Sequence, residues 1–232
     1  AMATRCTGSF RARSRAQKAA IDGLLARADA VGAKVLVLPE LCVDRALAEA
    51  VAAWVEDEAQ SVTIAVCGSF HEQVADRRAN TSILAMRGGA RTEHHKFTRY
   101  ENAQGTEHID TRPAKIVVRC GERVSTATLI CKDALDPCTC QVLRQARISL
   151  LLTAAYSERT ADFESMASHL ASTAQTHVLM ANMSAGKPGE CPLSAHITRP
   201  RCDESSAKSE GRARANVSPP ELVTFRLGGP EG

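Results

Sequence analysis

Apolar residues along the chain fall into two alternating patterns. Between residues 11 and 31, Ala20, Ile21, Leu24, Leu25, Ala28 and Val31 recur at spacings of three and four, and Gly32 ends the run, which predicts a helix. "KVLVLPE" (34–40) is then continuous in apolar residues and closed by Pro39, the pattern of a short buried strand. Residues 44–59 return to helical spacing, with Leu47, Val51, Trp54 and Val55 on one side. "VTIAVCGS" (62–69) and "TSILAM" (81–86) predict two more strands, and Gly88-Gly89 supply a turn after the second. "AKIVVR" (114–119) and "VSTATLIC" (124–131) flank a short polar break and predict a hairpin. A helix follows over 137–146 with Pro137 near its first position, then a strand "ISLLLTA" (148–154). A helix over 158–175 carries Phe163, Met166, Ala167, Leu170 and Ala174 on one face, and "HVLMANM" (177–183) predicts a strand.

Helices alternate with strands that are apolar on both faces. That pattern predicts an α/β fold whose sheets are covered by helices. From about Lys187 the periodicity stops, and Ser, Pro, Arg and Gly dominate. The expected organisation is therefore an α/β domain over 1–186 and a polar tail over 187–232. The tail reads as mostly loop or disordered, with one further strand-like run, "LVTFRL" (222–227).

Composition narrows the function classes. The 232-residue chain is 44% hydrophobic and 24% charged, which suits a globular protein with a real core. Its net charge of +3 is too small to imply nucleic acid, and no aromatics interleave with the arginines for base stacking. No apolar run approaches the ~20 residues that span a bilayer, and no secretory apolar region follows the N-terminus. The nine cysteines are odd in number and several lie inside apolar runs, so reduced thiols in a cytoplasm are expected rather than a disulfide framework.

Three polar residues stand where predicted strands end, the place where reactive groups gather in α/β proteins. Glu40 closes "KVLVLPE"; partial desolvation there would raise its pKa and suit a general base, while the plain alternative is a surface carboxylate. Lys96, in "EHHKFTRY", offers charge for an oxyanion or is simply a solvated lysine. Cys131 ends "TATLIC" just before a turn towards a helix, a setting that activates a thiol, although a buried cysteine also packs as a small hydrophobe.

The order and context of the three resemble the nitrilase superfamily of carbon–nitrogen hydrolases. The resemblance rests on "ADAVGAKVLVLPEL" around Glu40, "NTSILAMRGGARTEHHK" leading to Lys96, and "LICKD" around Cys131. "ARISLLLTAAYS" and "HVLMANMSAG" extend it, so that it covers about residues 15–186. It implies a four-layer αββα sandwich of two mixed sheets, and hydrolysis of a non-peptide C–N bond, usually an amide, of a small-molecule amide or nitrile. Cys131 would be the nucleophile, Glu40 the base, and Lys96 with the backbone N–H of Lys132 the oxyanion holder. Glu107 is the candidate for a second glutamate after the lysine, with Glu101 in reserve. No cofactor or metal is implied, and a homodimer or larger assembly is.

The chain departs from that family in its poor first strand, "ATRCTGSF", in Lys132 beside the thiol, in late strands that are hard to find after Gly186, and in its few aromatics. The fold is thus expected to be incomplete at both termini, and an inactive nitrilase-like regulatory or scaffold domain is the alternative function. Cys138 and Cys140 form a CxC pair without two further ligands at zinc spacing, and the adjacent His94 and His95 would diverge on a strand.

Overall fold

The computed structural model describes residues 5–102, 105–111, 113–121, 124–183, 195–198, 200 and 212–215. The chain begins with helix α1 (Arg5–Ala30) and strand β1 (Val35–Leu38). Helix α2 (Arg45–Ala53) follows, continued by a π-helical turn, Trp54–Glu58. Next come β2 (Ile64–Val74), β3 (Arg77–Met86), β4 (Ala90–His95) and a small ribbon, β5 (Glu101–Asn102) with β6 (Gly105–Thr106). The second half holds β7 (Val118–Cys120), β8 (Ser125–Ile130), a 3-10 turn at Cys131–Leu135, and α3 (Pro137–Gln145). It ends with β9 (Leu150–Ala155), α4 (Ala161–Ala174), β10 (His177–Asn182), β11 (Ala195–Thr198) and β12 (Arg212–Ala215).

Two mixed sheets result, as the sandwich reading expects. The first runs β1-β2-β3-β4, with β1 parallel to β2 and the rest antiparallel. The second runs β12-β11-β10-β9-β8-β7, with a parallel centre of β8, β9 and β10. The period-two alternation of side chains sorts the apolar residues into three layers. Leu36 and Leu38 of β1 pack outward with Ile21, Leu25 and Ala28 of α1 and Leu47, Ala48 and Val51 of α2. Leu129 and Leu151 pack outward with Leu143 of α3 and Phe163 and Leu170 of α4. Between the sheets, Val66 and Leu84 meet Leu150, Leu152 and Ala154, with Val35 and Val37 packed against them. This is why β1 and β9 are apolar on both faces: each is covered by helices on one side and by a sheet on the other.

Several elements differ from the sequence expectation. The stretch "RCTGSF" is helical rather than the start of a strand, continuous with the Ala-, Arg- and Gln-rich run after it, whose residues favour helix. The strand read at 62–69 extends to Val74, and the one read at 81–86 starts at Arg77. Cross-strand pairing carries this polar hairpin, with Ala75 turning at φ 57°. β4, "ARTEHH", is a polar strand held by the β3 ladder and has no apolar signal. In the tail, β11 and β12 are strands where loop was expected, because they extend the second sheet edge, β11 pairing onto β10 and β12 onto β11. The run 222–227 lies outside the described residues. No helix among the described residues is long and apolar enough to cross a membrane.

Candidate active site

The carboxyl ends of β1, β8, β9 and β10 come together at one end of the sandwich. Glu40 N–H donates to the Ala155 carbonyl at 3.3 Å, a backbone bond that joins the first sheet to the second. The loop after β1 is held closely. Leu41 has φ 55° and its N–H donates to Ser69 Oγ at 3.1 Å. Gly68, at φ 77°, sits where any Cβ would come within 2.7 Å of Cys42 Sγ and 3.1 Å of the Pro39 carbonyl. Only glycine gives both the backbone shape and the room for the Glu40 loop to lie there.

Lys96 follows β4 directly, and its N–H extends the ladder by donating to the Asn80 carbonyl at 2.8 Å. Its Nζ lies 2.8 Å from Glu40 Oε1 and 2.7 Å from Glu107 Oε2. Lys96 and Glu40 are both buried. Asn80, also buried, spans the two carboxylates, with Nδ2 donating to Glu40 Oε1 at 2.9 Å and to Glu107 Oε1 at 3.1 Å. The loop bearing Glu107 closes on itself: Tyr100 N–H donates to Glu107 Oε2 at 3.1 Å, and Glu107 N–H donates to the Tyr100 carbonyl at 2.7 Å.

Cys131 starts the 3-10 turn after β8 with φ 46°, in the left-handed region that costs a non-glycine residue about 1–3 kcal/mol. Its thiol lies 3.8 Å from the Tyr156 carbonyl just beyond β9. Asn182 of β10 fixes that loop by bonding both the N–H and the carbonyl of Ser157, at 2.8 and 2.9 Å. Asp133, fully buried, ties the thiol turn to the lysine segment. It accepts from Thr98 N–H at 2.8 Å and Phe97 N–H at 3.2 Å, and bonds His94 Nε2 at 2.8 Å. Strained backbone at Cys131 and Leu41 is thus pinned from several sides.

The electrostatics follow from this geometry. Burial pushes the Glu40 carboxyl above its usual range, against the opposing pull of Lys96. Burial also raises the Glu107 carboxyl, but the nearby His71, hydrogen bonds from Lys96 and Asn80, and the Lys96 charge outweigh it and hold Glu107 at about 2. For Lys96, burial disfavours the charge, yet Glu40, Cys131 and Glu107 carry its ammonium above the usual value. Burial pushes the Cys131 thiol up to about 12, with Glu40 adding to the effect and Lys96 opposing it. At rest the thiol is therefore neutral, Lys96 an ammonium and Glu107 a carboxylate. A proton passing from Cys131 to Glu40 would leave the total charge of this buried cluster unchanged.

Of the residues singled out in the sequence, Glu40, Lys96, Glu107 and Cys131 share this site. Lys132 follows the thiol in the same turn and is half-buried. Glu101 lies exposed on β5. His94 and His95 do diverge, the first to Asp133 and the second to Thr81 Oγ1 at 2.8 Å. Cys138 is exposed, and Cys140 lies 3.6 Å from the Ala134 carbonyl. Among the described residues no group of three or more His, Cys, Asp or Glu is arranged to hold a metal ion. Sequence reading gave no role to Asn80 or Asp133. The available signal was a polar residue at the head of an apolar strand in "NTSIL", and an acid two positions past the thiol in "LICKD".

Solved structures share this fold. An amidase of the nitrilase superfamily from Nesterenkonia AN1 is 19% identical, with a TM-score of 0.59 over 81% of this chain and 78% of that one. Saccharomyces cerevisiae Nit3, of branch 10 of the nitrilase superfamily, is 15% identical, with a TM-score of 0.57 over 72% and 69%. A glutamine-dependent NAD+ synthetase from Acinetobacter baumannii gives a TM-score of 0.63 at 16% identity, over 80% of this chain and 38% of that longer one. No protein-family model and no curated protein matches the sequence. The chain therefore has the fold of the nitrilase-superfamily carbon–nitrogen hydrolases.

Proposed function

We propose that the protein is a carbon–nitrogen hydrolase of the nitrilase superfamily that cleaves a small amide through a thioester on Cys131. The observation that carries this reading is the convergence of four groups, three at strand ends of the two sheets and one in the loop after the ribbon: the Glu40 and Glu107 carboxylates on one ammonium, Lys96, beside a thiol on a strained turn. A packing cysteine has no need of a left-handed backbone or of a buried ion cluster next to it.

In the reaction, the Cys131 sulfur attacks the amide carbonyl carbon while its proton passes to Glu40, whose raised pKa makes it the stronger base. Lys96 Nζ and the Lys132 backbone N–H stabilise the oxyanion. Collapse breaks the C–N bond, the amine leaves with the proton from Glu40, and an acyl thioester remains. Glu40 then takes a proton from water, the hydroxyl adds to the thioester, and the carboxylic acid leaves as sulfur regains its proton. Glu107 and Asn80 hold Lys96 and Glu40 in place throughout.

Intact-mass analysis with a panel of small aliphatic amides tests this. The native protein should release ammonia and carry a transient gain of one acyl group in place of one hydrogen, and Glu40→Gln, which lacks the base for both half-reactions, should do both far more slowly. Cys131→Ala should gain nothing and release no ammonia. An adduct that persists in Cys131→Ala, or no adduct and no ammonia from any amide with the native protein, would overturn the reading.

A further inference from the structure

Beyond the hydrolytic groups, one titratable side chain reaches the site from the rim. His71 Nε2 lies 3.5 Å from Glu107 Oε1, with His71 half exposed and Glu107 only 10% exposed. The register explains the approach. His71 on β2 stands directly opposite Asn80 on β3, so both side chains leave the same face of the sheet. Asn80 reaches inward to Glu40 and Glu107, and His71 covers the outer side of the same Glu107 oxygen.

We propose that His71 is a positioning residue for Glu107, and that its protonated form fastens the Glu107 loop over the site while its neutral form lets that loop loosen. The inference rests on this geometry and on charge, not on the hydrolase reading. Among the described residues the Glu107 carboxylate has one buried cation beside it, Lys96, which it shares with Glu40, so a further positive charge at its outer edge is favourable. At 3.5 Å the contact is long for a neutral hydrogen bond but well within the range of an ion pair. Glu107, held at about 2, stays ionised through the range in which a histidine gains its proton.

The other groups around His71 are accounted for. Glu72 follows it on β2 and is turned to Arg45 at 2.7 Å. Arg78, the diagonal neighbour on β3, is engaged elsewhere; its Nη1 lies 2.7 Å from His108 Nδ1, and its N–H donates to Asp110 at 2.8 Å. His108 is a second imidazole held in the same loop by that contact. The effect of His71 must therefore be read as a difference between proteins that both keep His108.

Hydrogen exchange of the segment 97–102 and 105–110, corrected for intrinsic rates, makes that comparison. His71→Gln keeps a donor of similar reach without the charge, and His71→Lys keeps the charge at every pH used. At about pH 5.5 the native protein should be about threefold to fivefold more protected than His71→Gln, the effect of one partly exposed ion pair, and at about pH 8 the two should agree. His71→Lys should retain the protection at both pH values. In a Glu107→Gln background, His71→Gln should change nothing. Equal protection of native protein and His71→Gln at both pH values overturns the proposal. So does an equal loss at both, which would mark a packing role without a charge-dependent one.

Discussion

Replacing Lys96 by Met leaves two carboxyl groups facing one another in a buried site, and the cost can be worked from the contacts. Two oxygens lie 2.8 and 2.7 Å from Nζ. At an effective dielectric of about 20, each contact corresponds to about 6 kcal/mol of gross attraction. Desolvation of the ammonium offsets much of this, and removing one partner of a buried ionic group typically costs about 3–5 kcal/mol net. For a chain of this size that corresponds to a fall in Tm of about 6–20 °C. The deficit should also depend on pH. Without Lys96, the Glu40 carboxyl, already raised by burial, rises further beside Glu107. A carboxyl whose pKa is higher folded than unfolded binds a proton on folding, so stability increases as pH falls through the folded value. Urea unfolding at about pH 8 and pH 5.5 should therefore show a smaller deficit at the lower pH. The double variant Lys96→Met/Glu40→Gln should recover much of the loss at both. A deficit below about 1 kcal/mol, or one equal at the two pH values, would refute the idea that Lys96 neutralises a buried pair.

Glu107 should leave the opposite signature. Held at about 2 against a usual 4.5, it contributes stability above its unfolded value that is lost on acidification, so the advantage of the native protein over Glu107→Gln should shrink by about 2 kcal/mol between about pH 6 and pH 3 in urea titrations. Asp133→Ala strands His94 Nε2 and the Phe97 and Thr98 N–H groups, and a loss of at least about 3 kcal/mol by denaturant unfolding is expected. Gly68→Ala drives a methyl group against Cys42 and Pro39 at an unfavourable φ; it should cost about 1–3 kcal/mol by thermal unfolding and slow acyl-adduct formation on Cys131, since the Glu40 loop must move to admit it. An unchanged Tm for Gly68→Ala would show that the loop yields freely.

The parts of the fold that were readable in the sequence are those where a residue's fate depends on near neighbours. β1 and β9 announce themselves because layers on both sides demand apolar side chains, and α4 because one face is buried and the other is not. β4 and the outer half of the β2–β3 hairpin carry no such pattern, since partner strands rather than a core hold them. β11 and β12 were hidden for the same reason. In the site, Glu40, Lys96 and Cys131 each read alone as an ordinary surface or packing residue, and only their order and context along the chain picked them out together. Asn80 and Asp133 could not be picked out even so, because their work consists of joining segments far apart in sequence: Asn80 links Glu40 to Glu107, and Asp133 links the thiol turn to residues 94–98.

The backbone bond from Glu40 to Ala155 marks a seam with a practical use. The first sheet and its helices come from residues before the small ribbon at 101–106, and the second sheet and its helices from residues after it. The ionic groups belong to the first part of the chain and the thiol to the second. Two separately produced fragments, divided in the connection between Asp110 and Val118, would each carry half of the chemistry and none of the reaction. Labelling of Cys131 would then report the reunion of the halves, making this fold a candidate split reporter of association between whatever the fragments are fused to.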